Sequence, residues 1–215
     1  MKSFLVVGMG TFGHHLCREL AAQNCEIMAV DSRPEMLEDV LGVVTSAKIA
    51  DCTSEEALRS FDIPSFDACF VCTGGNFQNS LEITSLLKEL GAQKVFSKAE
   101  EDVQAKFLLR IGADEVIYPE ADIASRIAVR ESSDSIFDCI PLSKEYAIYE
   151  ITPHAGWIGK TIGQLDFRGA YALNILASKK DGVLQPMPTV DYMFKKDEHL
   201  VVMGTREAIH RAVER

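Results

Sequence analysis

Gly8-Met9-Gly10-Thr11-Phe12-Gly13 has the residue types and spacing of a phosphate cradle. The pattern GxGxxG is weak alone, but here an apolar run, Lys2 to Val7, precedes it and a helical pattern, Phe12 to Gln23, follows. In that setting Gly8 permits the tight turn, Gly10 lets a phosphate approach the backbone, and Gly13 lets helix and strand pack closely. The helix N-terminus adds unpaired N–H groups and the positive end of a dipole. Asp31 closes the next apolar run, 18 residues after Gly13. A carboxylate there accepts both ribose hydroxyls and disfavours a 2′-phosphate. Asp51-Cys52-Thr53 ends a third run, with two readings: Asp51 and the Cys52 backbone contact adenine, or Asp51 or Thr53 caps the next helix. Thr73-Gly74-Gly75 ends a fourth. Candidate nucleotide contacts are therefore Gly8, Met9, Gly10, Thr11, Phe12 and Gly13, with Asp31, Ser32, Asp51, Cys52, Thr73 and Gly74.

These residues need a scaffold that brings strand ends to one edge. Strands are expected at 2–7, 26–30, 43–50, 68–72, 94–97 and 115–118. Helices are expected at 12–23, 34–41, from Ser54, 76–90, 101–111 and 121–131. Gly91 and Gly112 follow two of them as C-terminal caps. Six alternations of strand and helix predict an α/β fold, a doubly wound parallel sheet of Rossmann type. The pattern changes near Ser132-Ser-Asp-Ser135. Strand-like runs follow at 146–151, 172–179 and 199–203, with turns at Asp181-Gly182 and Pro186-Met-Pro188, and a helix at 206–214. The expected division is 1–134, a nucleotide-binding Rossmann domain, and 135–215, a smaller α+β domain.

Composition narrows the function. A formal net charge of -10 over 215 residues disfavours nucleic-acid binding, which needs clustered Lys and Arg. No run approaches the ~18 uncharged apolar residues of a membrane helix. The opening apolar run lacks a small-residue cleavage site and enters the glycine turn directly, so it reads as a strand rather than a signal peptide. The six scattered cysteines suit a reducing compartment. Cys69 and Cys72 have CxxC spacing, but on a strand they point to opposite faces and serve the core. No catalytic constellation is evident: His154, His199 and His210 have no acid at recognisable spacing, and His210 with Glu214 reads as a solvated helix pair. His14 and His15 follow the glycine turn; they read as a solvated helix face, with approach of His14 to a phosphate as the alternative.

The chain resembles, over essentially its whole length, the regulator-of-potassium-conductance (RCK/KTN) family, the cytosolic gating subunits of Trk/Ktr-type potassium uptake systems. The resemblance rests on Gly8 to Gly13, Val30-Asp31, Ala50-Asp-Cys-Thr53, Thr73-Gly-Gly-Asn-Phe-Gln-Asn-Ser80, Ser97-Lys-Ala99 and Ile111-Gly-Ala-Asp-Glu-Val-Ile-Tyr-Pro-Glu120. Ile162 to Arg168 and Gly182 to Met203 resemble the second lobe. It implies a homodimer assembling into an octameric ring, peripheral to the inner face of the cell membrane through a potassium-translocating subunit, without direct membrane insertion. Nucleotide binding would reshape the ring and act on the pore. The implied ligands are ATP, ADP or NAD(H), with Asn76 and Lys98 at the site and Glu120 helping to hold a divalent cation at the phosphates. Members that prefer ATP often carry Arg where this chain has Thr11, which keeps NAD(H) open. Ile162, Arg168 and Asn174 fall where some members bind a cyclic dinucleotide, although Gly163 replaces a usual apolar wall residue. The competing readings are a small NAD-dependent oxidoreductase and the same module serving another channel or antiporter.

Overall fold

The computed structural model describes residues 1–213, so Glu214, and with it the expected His210–Glu214 pair, lies outside the described residues. The chain forms two compact units, Met1–Ala121 and the remainder from Asp122.

The first unit runs β1 (Ser3–Val7), α1 (Thr11–Ala22), β2 (Glu26–Asp31), β3 (Ser46–Ile49), α2 (Glu55–Arg59), β4 (Ala68–Val71), α3 (Phe77–Glu89), β5 (Val95–Lys98), α4 (Asp102–Arg110) and β6 (Glu115–Ile117). The sheet order is β3-β2-β1-β4-β5-β6, all parallel. The order reverses between β1 and β4, and there the carboxyl ends of the two strands flank a crevice. Side chains alternate across the sheet, as a period of two requires. Leu5, Val7, Cys69 and Val71 enter the core on one side; Val6, Ala29, Phe70 and Cys72 enter the core on the other. Cys69 and Cys72 therefore lie in different cores, as their spacing on a strand requires. The expected helix at 34–41 is two 3₁₀ turns, Pro34–Met36 and Glu38–Val40. The third strand is shorter than expected, being a largely exposed sheet edge with a partner on one side only.

Helix α5 (Pro119–Glu131) follows. Its Arg126 pairs with Asp138, and Val129 packs on the second core. The second unit thus begins about one helix earlier than the expected 134/135 division. It continues with β7 (Ile136–Pro141), β8 (Tyr146–Ile151), α6 (Phe167–Tyr171), β9 (Asn174–Lys180), β10 (Val183–Pro186), β11 (His199–Thr205) and α7 (Arg206–Val213). The sheet order is β10-β9-β11-β8-β7, all antiparallel. Its core gathers Trp157, Phe167 and Phe194 with Ile151, Leu200 and Val202. Asp181 and Gly182, with φ of 50° and 78°, make the β9–β10 turn. Two strands of this sheet escape the sequence pattern. In β7 a bulge between Ile136 and Asp138 breaks the alternation, so Ile136 and Cys139 both face inward. All four β10 residues are exposed, leaving no apolar alternation to read.

A nucleotide crevice at the switch point

The crevice is built at the turn after β1. Gly8 has φ of 94°, and a Cβ there would lie 2.9 Å from the Thr73 nitrogen, so the turns after β1 and β4 touch. A Cβ on Gly13 would strike the Gly8 carbonyl, whereas one on Gly10 would meet nothing within 4 Å. The three glycines thus divide the work as the motif requires: turn, open approach, close packing. Helix α1 has Gly10 as its N-cap and no side chain capping it. By contrast, Ser54 caps α2, and Asn76 caps α3 by accepting from the amides of Gln78 and Asn79 at 3.0 and 3.3 Å. The first-turn amides of α1 have no such partner and can meet an anion.

Asp31 locks this turn to the end of β2. One carboxylate oxygen accepts from the Met9 amide at 2.8 Å and the other from the Arg33 amide at 3.0 Å. Each oxygen keeps lone-pair capacity for a ribose hydroxyl. Asp51 accepts from both the Thr53 amide and its hydroxyl, at 3.0 and 2.7 Å. Those bonds hold its carboxyl below the usual range. Because Ser54 is the cap of α2, neither Asp51 nor Thr53 is needed there. Lys98, at the end of β5, is largely buried and donates to Glu120 at 2.7 Å. That bond, with a smaller contribution from charge, keeps the Glu120 carboxyl below its ordinary value.

The resulting cavity has a volume of 380 Å³. Gly8, Gly10, Thr11, Phe12, Asp31, Ser32, Asp51, Cys52, Thr73, Gly74, Asn76, Lys98 and Glu120 all line it. Two candidates do not. The Met9 side chain is fully buried, with its sulfur 3.9 Å from that of Cys17, so Met9 contributes an amide to Asp31 and nothing to the cavity. Gly13 is buried behind the turn. Arg33, Thr53, Cys72, Asn79 and Ile83 line the cavity without having been singled out as contacts. Arg33 carried a signal, standing two residues beyond Asp31, and Asn79 lies within the motif at 73–80; Ile83 carried none. Burial pushes the Cys52 thiol up to about 12 and raises that of Cys72 further, so neither is an activated nucleophile.

Two histidine readings change. His14 is not a merely solvated residue, since its Nε2 meets the Met36 carbonyl at 2.7 Å. His199 has an acid after all: its Nδ1 meets Glu150 at 2.7 Å, with Lys179 donating to the same carboxylate at 2.8 Å. The partners are 49 residues apart and meet through sheet pairing, beyond any local spacing rule.

In the second unit a separate cavity of 430 Å³ is lined by Ile162, Arg168 and Asn174 together with Phe167, Leu173, Ile175, Leu176, Pro188, Val190 and Met203. The Asn174 side-chain oxygen Oδ1 is buried without a partner. Gly163 donates its amide to Val190 at 2.8 Å, and a Cβ would lie 3.3 Å from that carbonyl, which accounts for the glycine. Among the described residues no group of His, Cys, Asp and Glu is arranged to hold a metal ion by itself, and no helix is long and apolar enough to cross a membrane.

A Rossmann unit with an uncapped phosphate turn, followed by a small antiparallel domain, defines a class of nucleotide-binding regulatory modules. Residues 4–119 match the TrkA-N domain family and residues 146–215 the TrkA-C domain family. The chain belongs to this family, among the RCK regulatory subunits of Ktr potassium uptake systems. It is 34% identical over its whole length to Ktr system potassium uptake protein C of Bacillus subtilis, covering 97% of that protein. It is 36% identical over 98% of its length to protein A of the same system and organism, covering 95% of it. Among solved structures, the GsuK RCK domain aligns with a TM-score of 0.68 at 20% identity, covering 100% of this chain and 48% of that one. The GsuK channel bound to NAD aligns at 0.69 and 18% identity, covering 98% and 39%. The chain spans less than half of those solved chains, and at such identity they show the fold alone.

Proposed function

We infer that this chain is the nucleotide-sensing regulatory subunit of a potassium-translocating membrane protein. The observation that carries the sensing role is the pairing, in one crevice, of an uncapped α1 N-terminus with Asp31. The phosphates of an adenine nucleotide lie on the first and its ribose on the second. The adenine lies toward Asp51 and Cys52. Thr11 offers one hydroxyl to a terminal phosphate, so ATP, ADP and NAD(H) are all within the site's range. Glu120 holds a divalent cation at the phosphates once Lys98 releases it. The subunit works as a dimer within an octameric ring on the cytoplasmic side of its partner, and ligand-dependent changes in the ring bias the pore. A regulatory role without catalysis agrees with the buried thiols of Cys52 and Cys72 and with His14 and His199 engaged in structural bonds. In the second unit, Arg168 and the unpaired Asn174 oxygen suit a cyclic dinucleotide.

Calorimetric titration with ATP, ADP, AMP, NAD and NADH, with and without magnesium, tests the sensor. Binding by at least one at micromolar affinity supports it; binding by none overturns it. Co-purification with a potassium-translocating membrane subunit, and ligand-dependent potassium flux in vesicles, supports the regulatory role. Turnover of NAD(H) with a substrate would favour an oxidoreductase instead.

A further inference from the structure

Each sheet ends in two edge strands, β3 and β6 in the first unit, β10 and β7 in the second. An edge strand presents backbone N–H and C=O groups that no neighbouring strand receives. In β3 the pairing fixes which groups these are. The Ala50 amide donates to the Asp31 carbonyl at 3.0 Å, toward β2. Backbone groups alternate in direction along a strand, so those of Lys48 also turn toward β2, and those of Ala47 and Ile49 point away from it. Exposed apolar side chains stand near both ends of this edge, Leu41 and Val43 before the strand and Ile49 at its close.

Charge sets β3 apart from the other edges. The strand is entered from the two turns bearing Glu35, Glu38 and Asp39, and it leads into the first turn of α2, with Glu55 and Glu56. All five are exposed. Among the described residues only Glu55 has an ion-pair partner, Arg59 of its own helix. Lys48 is the single cation between Arg33 and Arg59. Elsewhere the edge charges are matched or basic. Glu115 of β6 pairs with Lys94, Asp138 of β7 pairs with Arg126, and β10 lies against Lys179 and Lys180 of β9. Two copies of the β3 edge would bring like charges together, which opposes self-pairing. A basic, extended segment instead meets open backbone groups, apolar side chains and unpaired carboxylates. Cytoplasmic segments of membrane proteins carry an excess of Lys and Arg. We propose that β3 is a docking edge, on which an extended, Lys- and Arg-rich cytoplasmic segment of the membrane partner adds as a further strand. Its main chain bonds to Ala47 and Ile49, its apolar side chains cover Leu41, Val43 and Ile49, and its cations meet the flanking carboxylates. The same strand runs on into Ala50 and Asp51 in the crevice wall, so docked segment and nucleotide act on one element.

This docking rests on the reading of the chain as the subunit of a membrane partner, and the experiment separates the two. The probe is a fluorescein-labelled peptide of alternating Lys and Val, about ten residues long, followed by anisotropy against the full chain. It should bind at least about tenfold more tightly than a Glu–Val peptide of equal length and slow hydrogen exchange at Ala47 and Ile49. Ile49→Pro removes an outward amide and no bond to β2, so it should weaken the Lys–Val peptide at least about tenfold, with thermal unfolding reporting whether the variant is folded. The combined change Glu35→Gln, Glu38→Gln and Asp39→Asn keeps shape and backbone, and should weaken the peptide and flatten its salt dependence. Unchanged affinity in both variants, or protection at β6, β7 or β10 in place of β3, overturns the docking edge. Co-purification of a potassium-translocating subunit that survives both variants also overturns it and leaves the regulatory reading standing. If the unaltered chain brings down no such subunit, both readings fall.

Discussion

The two units build their cavities in opposite ways. In the first, one turn and the strand ends beside it supply most of the lining, because a parallel sheet aligns the carboxyl ends of all its strands on one edge. Some polar groups there lack a protein partner: α1 is uncapped, and the buried hydroxyls of Thr73 and Ser80 are unpaired. In the second, an antiparallel sheet scatters strand ends, and the charged groups satisfy one another. Glu150 takes bonds from Lys179 and His199, Glu198 accepts from the Tyr192 hydroxyl, and Arg126 holds Asp138. Its cavity is lined mostly by apolar residues, with Arg168 and Asn174 as the polar side chains. A site written in consecutive residues is legible from its spacing, whereas Ile162, Arg168 and Asn174, which line the second cavity, were reached through the family resemblance alone.

The contrast breaks if damage to one unit spreads to the other. Trp157 is fully buried in the second core, bonds its indole N–H to Tyr171 at 2.8 Å and packs edge-on against Phe167. Trp157→Ala should destabilise that unit by about 3–5 kcal/mol while nucleotide affinity in the first is retained. Two-probe thermal unfolding and calorimetry on the variant check this, and loss of nucleotide binding would mean that the units do not act separately.

Within the first unit, Gly13→Ala should cost about 1–3 kcal/mol through overpacking against the Gly8 carbonyl and should also displace the phosphate turn. Asp31→Ala removes the carboxylate that binds the Met9 amide and that is proposed to receive the ribose, and should weaken adenine nucleotides by about 10- to 100-fold. Unchanged affinity by calorimetry would remove Asp31 from the site. Arg168→Ala should lower affinity for a cyclic dinucleotide and leave that for ADP untouched, and a change in both would join the two sites.

The smallest expected effect is a pH response confined to the second unit. Burial alone would raise the Glu150 carboxyl, but bonds from Lys179 and His199 outweigh it and hold the carboxyl below its ordinary value. A carboxyl depressed in the folded state contributes stability above its unfolded pKa, about 4.3, and loses it as pH falls through the folded value. Denaturation of the second unit should therefore become easier below about pH 4.3, and Glu150→Gln should flatten the profile at a cost of about 1–3 kcal/mol at neutral pH. An unaltered slope in the variant would assign the acid sensitivity elsewhere.

Much of this molecule is decided locally. The glycine spacing, Asp31 at the end of the next strand and the alternation of strands with helices specify a parallel sheet with a phosphate turn, because each depends only on neighbours in the chain. The order β3-β2-β1-β4-β5-β6 follows from the same signals. Other features require the fold. The Met9 side chain packs in the core while its amide is bound to Asp31, 22 residues away. Ser54 takes the cap of α2 and leaves Asp51 to the crevice. A bulge hides β7, and sheet pairing brings His199 to Glu150. Ser80 and Thr73 converge only when β4 and α3 close around their turn. Which polar groups end up paired and which stay open is a property of contacts distant in sequence, so sequence alone determined the scaffold and the phosphate turn, and tertiary packing decided which groups the crevice presents.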